Sequence, residues 1–179
     1  MRRGEQMKQR SFNKIHIIGS VGSGKTTLAK ELSEQLAIPY FELDNIVWIR
    51  NKNGDIRRTE QEREEYLNGI LQTDQWIVEG IHNEDWVRSC FNEADIIIYL
   101  HTAYSTRTYR IIKRYLKQKL RVEKSHYKPT FTIFMKMFKW NRSFEDVGKV
   151  NFFSCYAVHS DKILVIRSTK WLKEWINNT

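Results

Sequence analysis

Cysteine is nearly absent. The chain has two, Cys90 and Cys155, in 179 residues, and neither sits in a C-x-x-C pair. This spacing offers no basis for a disulfide framework or a zinc site. Both read as small core residues of a cytosolic protein. No run of about 18 apolar residues exists, so a membrane span is not indicated. The basic opening MRRGEQMKQR is not followed by an apolar stretch of signal-peptide length. Secretion is therefore not indicated, and a cytoplasmic location is expected. His82, His101 and His126 lack metal-ligand spacing and receive no role. There is no internal repeat and no low-complexity linker. What is present is enough for a core, since 41% hydrophobic and 13% aromatic residues argue against whole-chain disorder. The length suits one α/β domain, residues 14–179, with room for a lid, behind a loose tail at 1–13.

Acidic charge is scarce in one region and concentrated in another. Residues 15–103 carry eight Lys/Arg against fifteen acids, whereas 104–149 carry thirteen Lys/Arg against three acids. A basic block of that density expects an anionic partner: nucleotide phosphates, nucleic acid or an acidic surface.

Short apolar runs alternate with helical patterns. Strands are expected at Lys14–Ile18, Tyr40–Leu43 (ending at Asp44), Trp76–Val78, Ile96–Leu100 and Ile163–Ile166. Helices are expected at Thr26–Ala37, where Leu28, Leu32 and Leu36 form one stripe, and from Thr59 to about Thr73, with Thr59 and Glu62 as a capping box. Further helices are expected at Ser105–Leu120, Phe131–Trp140, Phe144–Ala157 and Lys170–Asn177, with a polar loop over Arg50–Arg58. Several strands are apolar throughout, the mark of a parallel sheet buried on both faces. Trp140, Phe144, Phe152 and Phe153 are expected to pack the last helices onto it.

The stretch Gly19-Ser20-Val21-Gly22-Ser23-Gly24-Lys25-Thr26 fits G-x-x-x-x-G-K-[ST], with a strand before it and a helix after it. Its glycines let backbone N–H groups converge on one anion at a helix N-terminus. Lys25 reaches the β and γ phosphates, and the Thr26 hydroxyl suits a Mg²⁺ ligand. Residues Gly19 to Thr27 are thus the nucleoside triphosphate site. The glycine order is not the G-x-G-x-x-G of a dinucleotide fold. Asn51-Lys52-Asn53-Gly54 is not the N-K-x-D of a GTPase.

Together with "ELDNIVW" (Glu42–Trp48), "WIVEG" (Trp76–Gly80), "ADIIIYL" (Ala94–Leu100) and "RTYRIIKR" (Arg107–Arg114), this loop resembles the adenylate-kinase-like branch of small P-loop kinases. The most similar family there is the FlaR-related DNA topology modulation proteins. The resemblance spans roughly residues 13–170. It implies a three-layer P-loop NTPase fold, a five-stranded parallel sheet with helices on both faces. It also implies an acceptor region at about 44–75 and a mobile basic lid at about 104–142. Relatives carry Asp-Gly-Asn-Tyr after the third strand, where this chain has Glu79-Gly80-Ile81-His82.

Phosphoryl transfer needs in-line geometry and positive charge around the moving group. Lys25 supplies the fixed charge. Arg107, Arg110 and Arg114 are candidates for the mobile charge; Arg110 and Arg114, four apart, share a helix face and match the lid arginines of the family. For each arginine the alternative is a solvated basic face. Asp44 stands at a strand end, where open α/β sheets bind ligands; it orients an acceptor hydroxyl, acts as base or holds Mg²⁺ through water, or else caps the next segment. Glu79, at a similar strand end, completes the Mg²⁺ shell through water or is a surface acid. Trp48, Arg57 and Arg58 fall in the acceptor region, with Trp48 weighted toward the core. The favoured reading is an ATP- and Mg²⁺-dependent kinase of a small acceptor, with nucleotides and nucleosides as the first candidates. The alternative is an NTP-binding nucleic-acid regulator, using the basic block and its interleaved aromatics Tyr104, Tyr109, Tyr115, Tyr127, Phe131, Phe134 and Trp140. Oligomeric state is left open.

Overall fold

The computed structural model describes residues 12–51, 54–82, 84–120, 122 and 130–167. Five parallel strands form the sheet: β1 (Lys14–Gly19), β2 (Tyr40–Glu42), β5 (Trp76–Glu79), β6 (Ile96–Leu100) and β7 (Ile163–Ile166), in the order β2-β5-β1-β6-β7. In the central strands successive side chains enter opposite cores, as the two-residue period requires. Ile15, Ile17, Ile96, Ile98 and Leu100 meet α1 (Lys25–Leu36) on one face through Leu28, Ala29 and Leu32. Ile18, Val78, Ile97 and Tyr99 meet the other core, formed with α2 (Leu43–Val47), α3 (Glu60–Leu71), α4 (Arg88–Glu93) and α7 (Lys149–Cys155). This is a three-layer α/β fold.

His16 enters that second core fully buried, 4.5 Å from the Phe91 ring. Burial drives its pKa down to about 3, so the imidazole is neutral.

Local chemistry sets the start of α3. Thr59 accepts from Glu62 N at 3.2 Å while its own N–H donates to Glu62 Oε2 at 2.7 Å, the expected capping box at the start of α3. Between β6 and β7 run the basic helix α5 (Tyr104–Lys119), α6 (Phe131–Ser143), a π turn at Phe144–Gly148, α7 and a 3-10 turn at Ala157–His159. No described helix is long and apolar enough to cross a membrane.

Several expectations need correction. Leu43 and Asp44 leave the second strand and open α2, because Leu43 turns into the core. The loop or turn expected at Arg50–Arg58 links β3 (Trp48–Ile49) to β4 (Ile56–Arg57), and two of its residues form β4. A 3-10 turn (Asp85–Val87) and α4 were not anticipated. Cys90 is buried, its thiol pushed up to about 12, but Cys155 is exposed. Trp48 and Trp140 are also exposed, whereas Phe144 and Phe152 are buried as expected. The helix expected at Lys170–Asn177 and nearly all of the N-terminal tail lie outside the described residues.

Candidate active site

Eight residues after β1 make the phosphate side. Gly22 (φ +74°) and Gly24 (φ +102°) take left-handed conformations that side chains resist. A Cβ at Gly22 would also meet the Arg107 carbonyl oxygen at 3.0 Å, because α5 lies against the loop. Gly24 then hands directly into α1, whose first-turn N–H groups need an anion or solvent. Ser20 and Ser23 are buried, Val21 is half-buried, and Thr27 is exposed. Lys25 Nζ donates to the Ser20 carbonyl at 3.2 Å, which folds its ammonium over the cradle.

The loop is tied to the elements that follow β6. Thr102 Oγ1 donates to the Ser23 carbonyl at 3.0 Å. Ser20 Oγ reaches Asn141 Oδ1 at 3.4 Å, and Asn141, fully buried in α6, donates to Thr108 Oγ1 at 3.2 Å. Arg110 Nη1 donates to the Ser23 carbonyl at 2.7 Å and to that of Gly22 at 3.3 Å, so it stands at the cradle. Arg114, one turn on, is exposed and lines a shallow depression with Tyr115 and Phe134. Arg107 differs from both. It is only 2% exposed, pairs with Glu145, and lies 5.6 Å from both the Tyr104 and Phe144 rings. That corrects its reading as a mobile arm, since an ion-paired guanidinium held between rings is a fixed strut.

Strand-end carboxylates face the loop. The Thr26 hydroxyl donates to Glu79 Oε1 at 2.5 Å. Burial is the main force on Glu79 and raises its pKa; Lys25 and the Thr26 hydrogen bond pull it back, and Glu42 and Asp44 push it up again. A buried carboxylate beside a hydroxyl is a hard-oxygen pair suited to Mg²⁺.

Asp44, in the first turn of α2, is exposed and receives His82 at 3.3 Å. That hydrogen bond is the leading cause of its lowered pKa, with added pull from Lys25 and Arg50. Lys25 is thus felt by both carboxylates, so Asp44 and Glu79 share one electrostatic neighbourhood. His82 was missed in the sequence, although it follows the end of β5 by three residues. Arg58 is used structurally, donating to the carbonyls of Asn45 and Ile46 at 2.8 and 2.9 Å. Arg57 lies over the exposed Trp48 ring at 6.0 Å. Beside His82 opens a cleft of about 250 Å³, lined by Arg57, Arg63, Glu84 and Trp86 among others.

Of the aromatics interleaved with the basic block, Tyr104, Tyr109, Phe131 and Trp140 are exposed, while Tyr115 and Phe134 pack together. Tyr115 stacks on Phe134 at 4.2 Å, and Phe134 meets Phe138 edge-on at 4.8 Å. Tyr127 lies outside the described residues.

A family model described as "AAA domain" matches residues 15–127. A shikimate kinase of Bacillus cytotoxicus is 34% identical over 128 residues, 61% of this chain and 74% of that one. One from Francisella tularensis is 28% identical over 122 residues, 61% of this chain and 69% of the relative. Among solved structures, shikimate kinase from Acinetobacter baumannii in complex with shikimate matches with a TM-score of 0.54 at 19% identity, covering 98% of both chains. A sugar kinase from Janibacter sp. HTCC2649 matches at 0.51 and 14% identity, covering 94% of this chain and 96% of that one. These structural likenesses carry the fold.

Proposed function

We propose a reaction from one premise: the chain belongs to the AAA domain family and is a small P-loop kinase. It transfers the γ-phosphoryl group of ATP, bound with Mg²⁺, to a hydroxyl of a small acceptor held beside Asp44 and the neighbouring cleft. The acceptor oxygen attacks phosphorus in line, the bond to the β–γ bridging oxygen breaks, and ADP leaves. The loop N–H groups and Lys25 bind the phosphates, and Arg110 turns from the Ser23 carbonyl to the transferring group. Arg114 extends that positive face. Asp44 orients the hydroxyl and takes its proton. Thr26 and Glu79 would hold Mg²⁺, Glu79 through water, and the ion would neutralise phosphate charge. The observation that carries this reading is the Thr26–Glu79 hydrogen bond of 2.5 Å, which joins the P-loop hydroxyl to a strand-end carboxylate.

The motif resemblance further suggests a place beside the FlaR-related group. Nucleosides and nucleotides therefore head the acceptors to try, with sugars and hydroxy acids as the relatives suggest. A nucleic-acid regulator is not favoured, since the relatives the chain matches are small-molecule kinases. The test is transfer from ATP·Mg²⁺ to a panel of these acceptors, beside Lys25→Ala and a no-acceptor control. Transfer to one acceptor, lost in the variant, is expected. ATP turnover to water alone with every acceptor would contradict the reading.

A further inference from the structure

Resting on that kinase reading, we propose that His82 is the positioning residue of the acceptor side, its Nε2–H holding the Asp44 carboxylate in the orientation that receives the acceptor's hydroxyl. A carboxylate can only accept, so the 3.3 Å contact is a hydrogen bond only with the proton on Nε2. Asp44 needs such a partner. It sits on a five-residue helix with an exposed side chain, and nothing in its own turn fixes its rotamer.

His82 is itself held. Its side chain is 21% exposed, and its ring centroid lies 5.5 Å from that of Trp86. Nδ1 faces Glu84 Oε2 at 4.0 Å. Glu84 in turn accepts from Trp86 Nε1 and pairs with Arg63 at 3.5 Å. Arg63, buried in α3, lies 5.4 Å from the Trp86 ring. The chain of support runs from the core, through Arg63, Trp86 and Glu84, to His82 and then Asp44.

The experiment compares full-length wild type with His82→Gln and His82→Leu. Three quantities are read: transfer to the acceptor found in the panel, ATP hydrolysis with water in the acceptor's place, and the titration of the Asp44 carboxyl carbon by NMR. His82→Leu is expected to lower kcat about 10- to 100-fold, as loss of an orienting partner does, with the KM for ATP within about twofold. His82→Gln keeps an N–H donor and is expected to restore most of that loss. In His82→Leu the Asp44 carboxyl should titrate higher than in wild type. Unchanged Asp44 titration in that variant would overturn the proposal whatever the turnover. So would equal losses in the leucine and glutamine variants. If no acceptor is phosphorylated while Asp44 titration follows His82, the failure lies with the kinase reading and not with the contact.

Discussion

On the phosphate side of the cleft, Gly22, Gly24, Lys25 and Thr26 come from one eight-residue stretch, and most of the work falls to backbone N–H groups and a helix end. On the proposed acceptor side, Asp44, His82 and Glu84 come from α2 and the segment after β5, and their side chains meet across sequence gaps of 38 and 2 residues. A backbone-made site tolerates change in its neighbours but not in its glycines and lysine. A side-chain-made site is graded, because each member can be weakened separately.

The sharpest way to break this comparison is Lys25→Ala. Transfer should fall by about 10³-fold, since a fixed charge at the transferring group is lost, with the circular dichroism spectrum unchanged. Next comes Arg110→Ala. A drop of about 10²-fold in kcat is expected, less than an arginine finger contributes, while stability stays within about 0.5 kcal/mol by chemical denaturation. Arg107→Ala should do the reverse. It leaves Glu145 without its buried partner and costs about 2 kcal/mol of stability, read as a lower melting temperature. If Arg107→Ala and Arg110→Ala show the same profile, the division between strut and arm is wrong.

The smallest effect is expected from Glu79→Gln without nucleotide. Burial raises the folded-state pKa of Glu79 above its ordinary value. Such a group supports folding fully only below its unfolded pKa, and that support is lost as pH rises through the folded pKa. The glutamine variant should therefore gain thermal stability relative to wild type at pH 8 and gain less at pH 5. Its Mg²⁺-dependence of ATP binding should weaken at the same time. A melting-temperature difference that does not vary with pH would contradict the burial argument.

The same contrast explains what the sequence revealed. The glycine loop, the capping box at Thr59 and Glu62 and the strand Ile96–Leu100 were legible because each is local: a spacing, a three-residue pairing and an unbroken apolar run. The acceptor side was only half legible. Asp44 drew attention as a strand-end acid, yet the chain had already turned into α2 there, since Leu43 has a core position to fill. His82 carried no pattern, because its partner lies 38 residues away. Asn141, which links the loop to α5 and α6, gave no signal either. Arg107 did offer one. It stands four residues before the buried Ile111 and shares its inward face, although Arg110 and Arg114, three and seven residues on, lie along the same side, so spacing alone does not separate strut from arm. Trp48 and Trp140 misled because size alone suggests burial, whereas Trp48 sits on an isolated two-stranded hairpin with no layer above it.

The most direct test of the two-sided site is to measure ATP affinity and phosphoryl transfer in the same preparations of wild type, Lys25→Ala and Asp44→Asn. Asp44→Asn is expected to bind ATP·Mg²⁺ as wild type does while transfer falls by about 10²-fold, the contribution of a positioned base. Lys25→Ala should lose affinity and transfer together. If Asp44→Asn transfers phosphate at the wild-type rate, the acceptor does not sit where Asp44 and His82 meet.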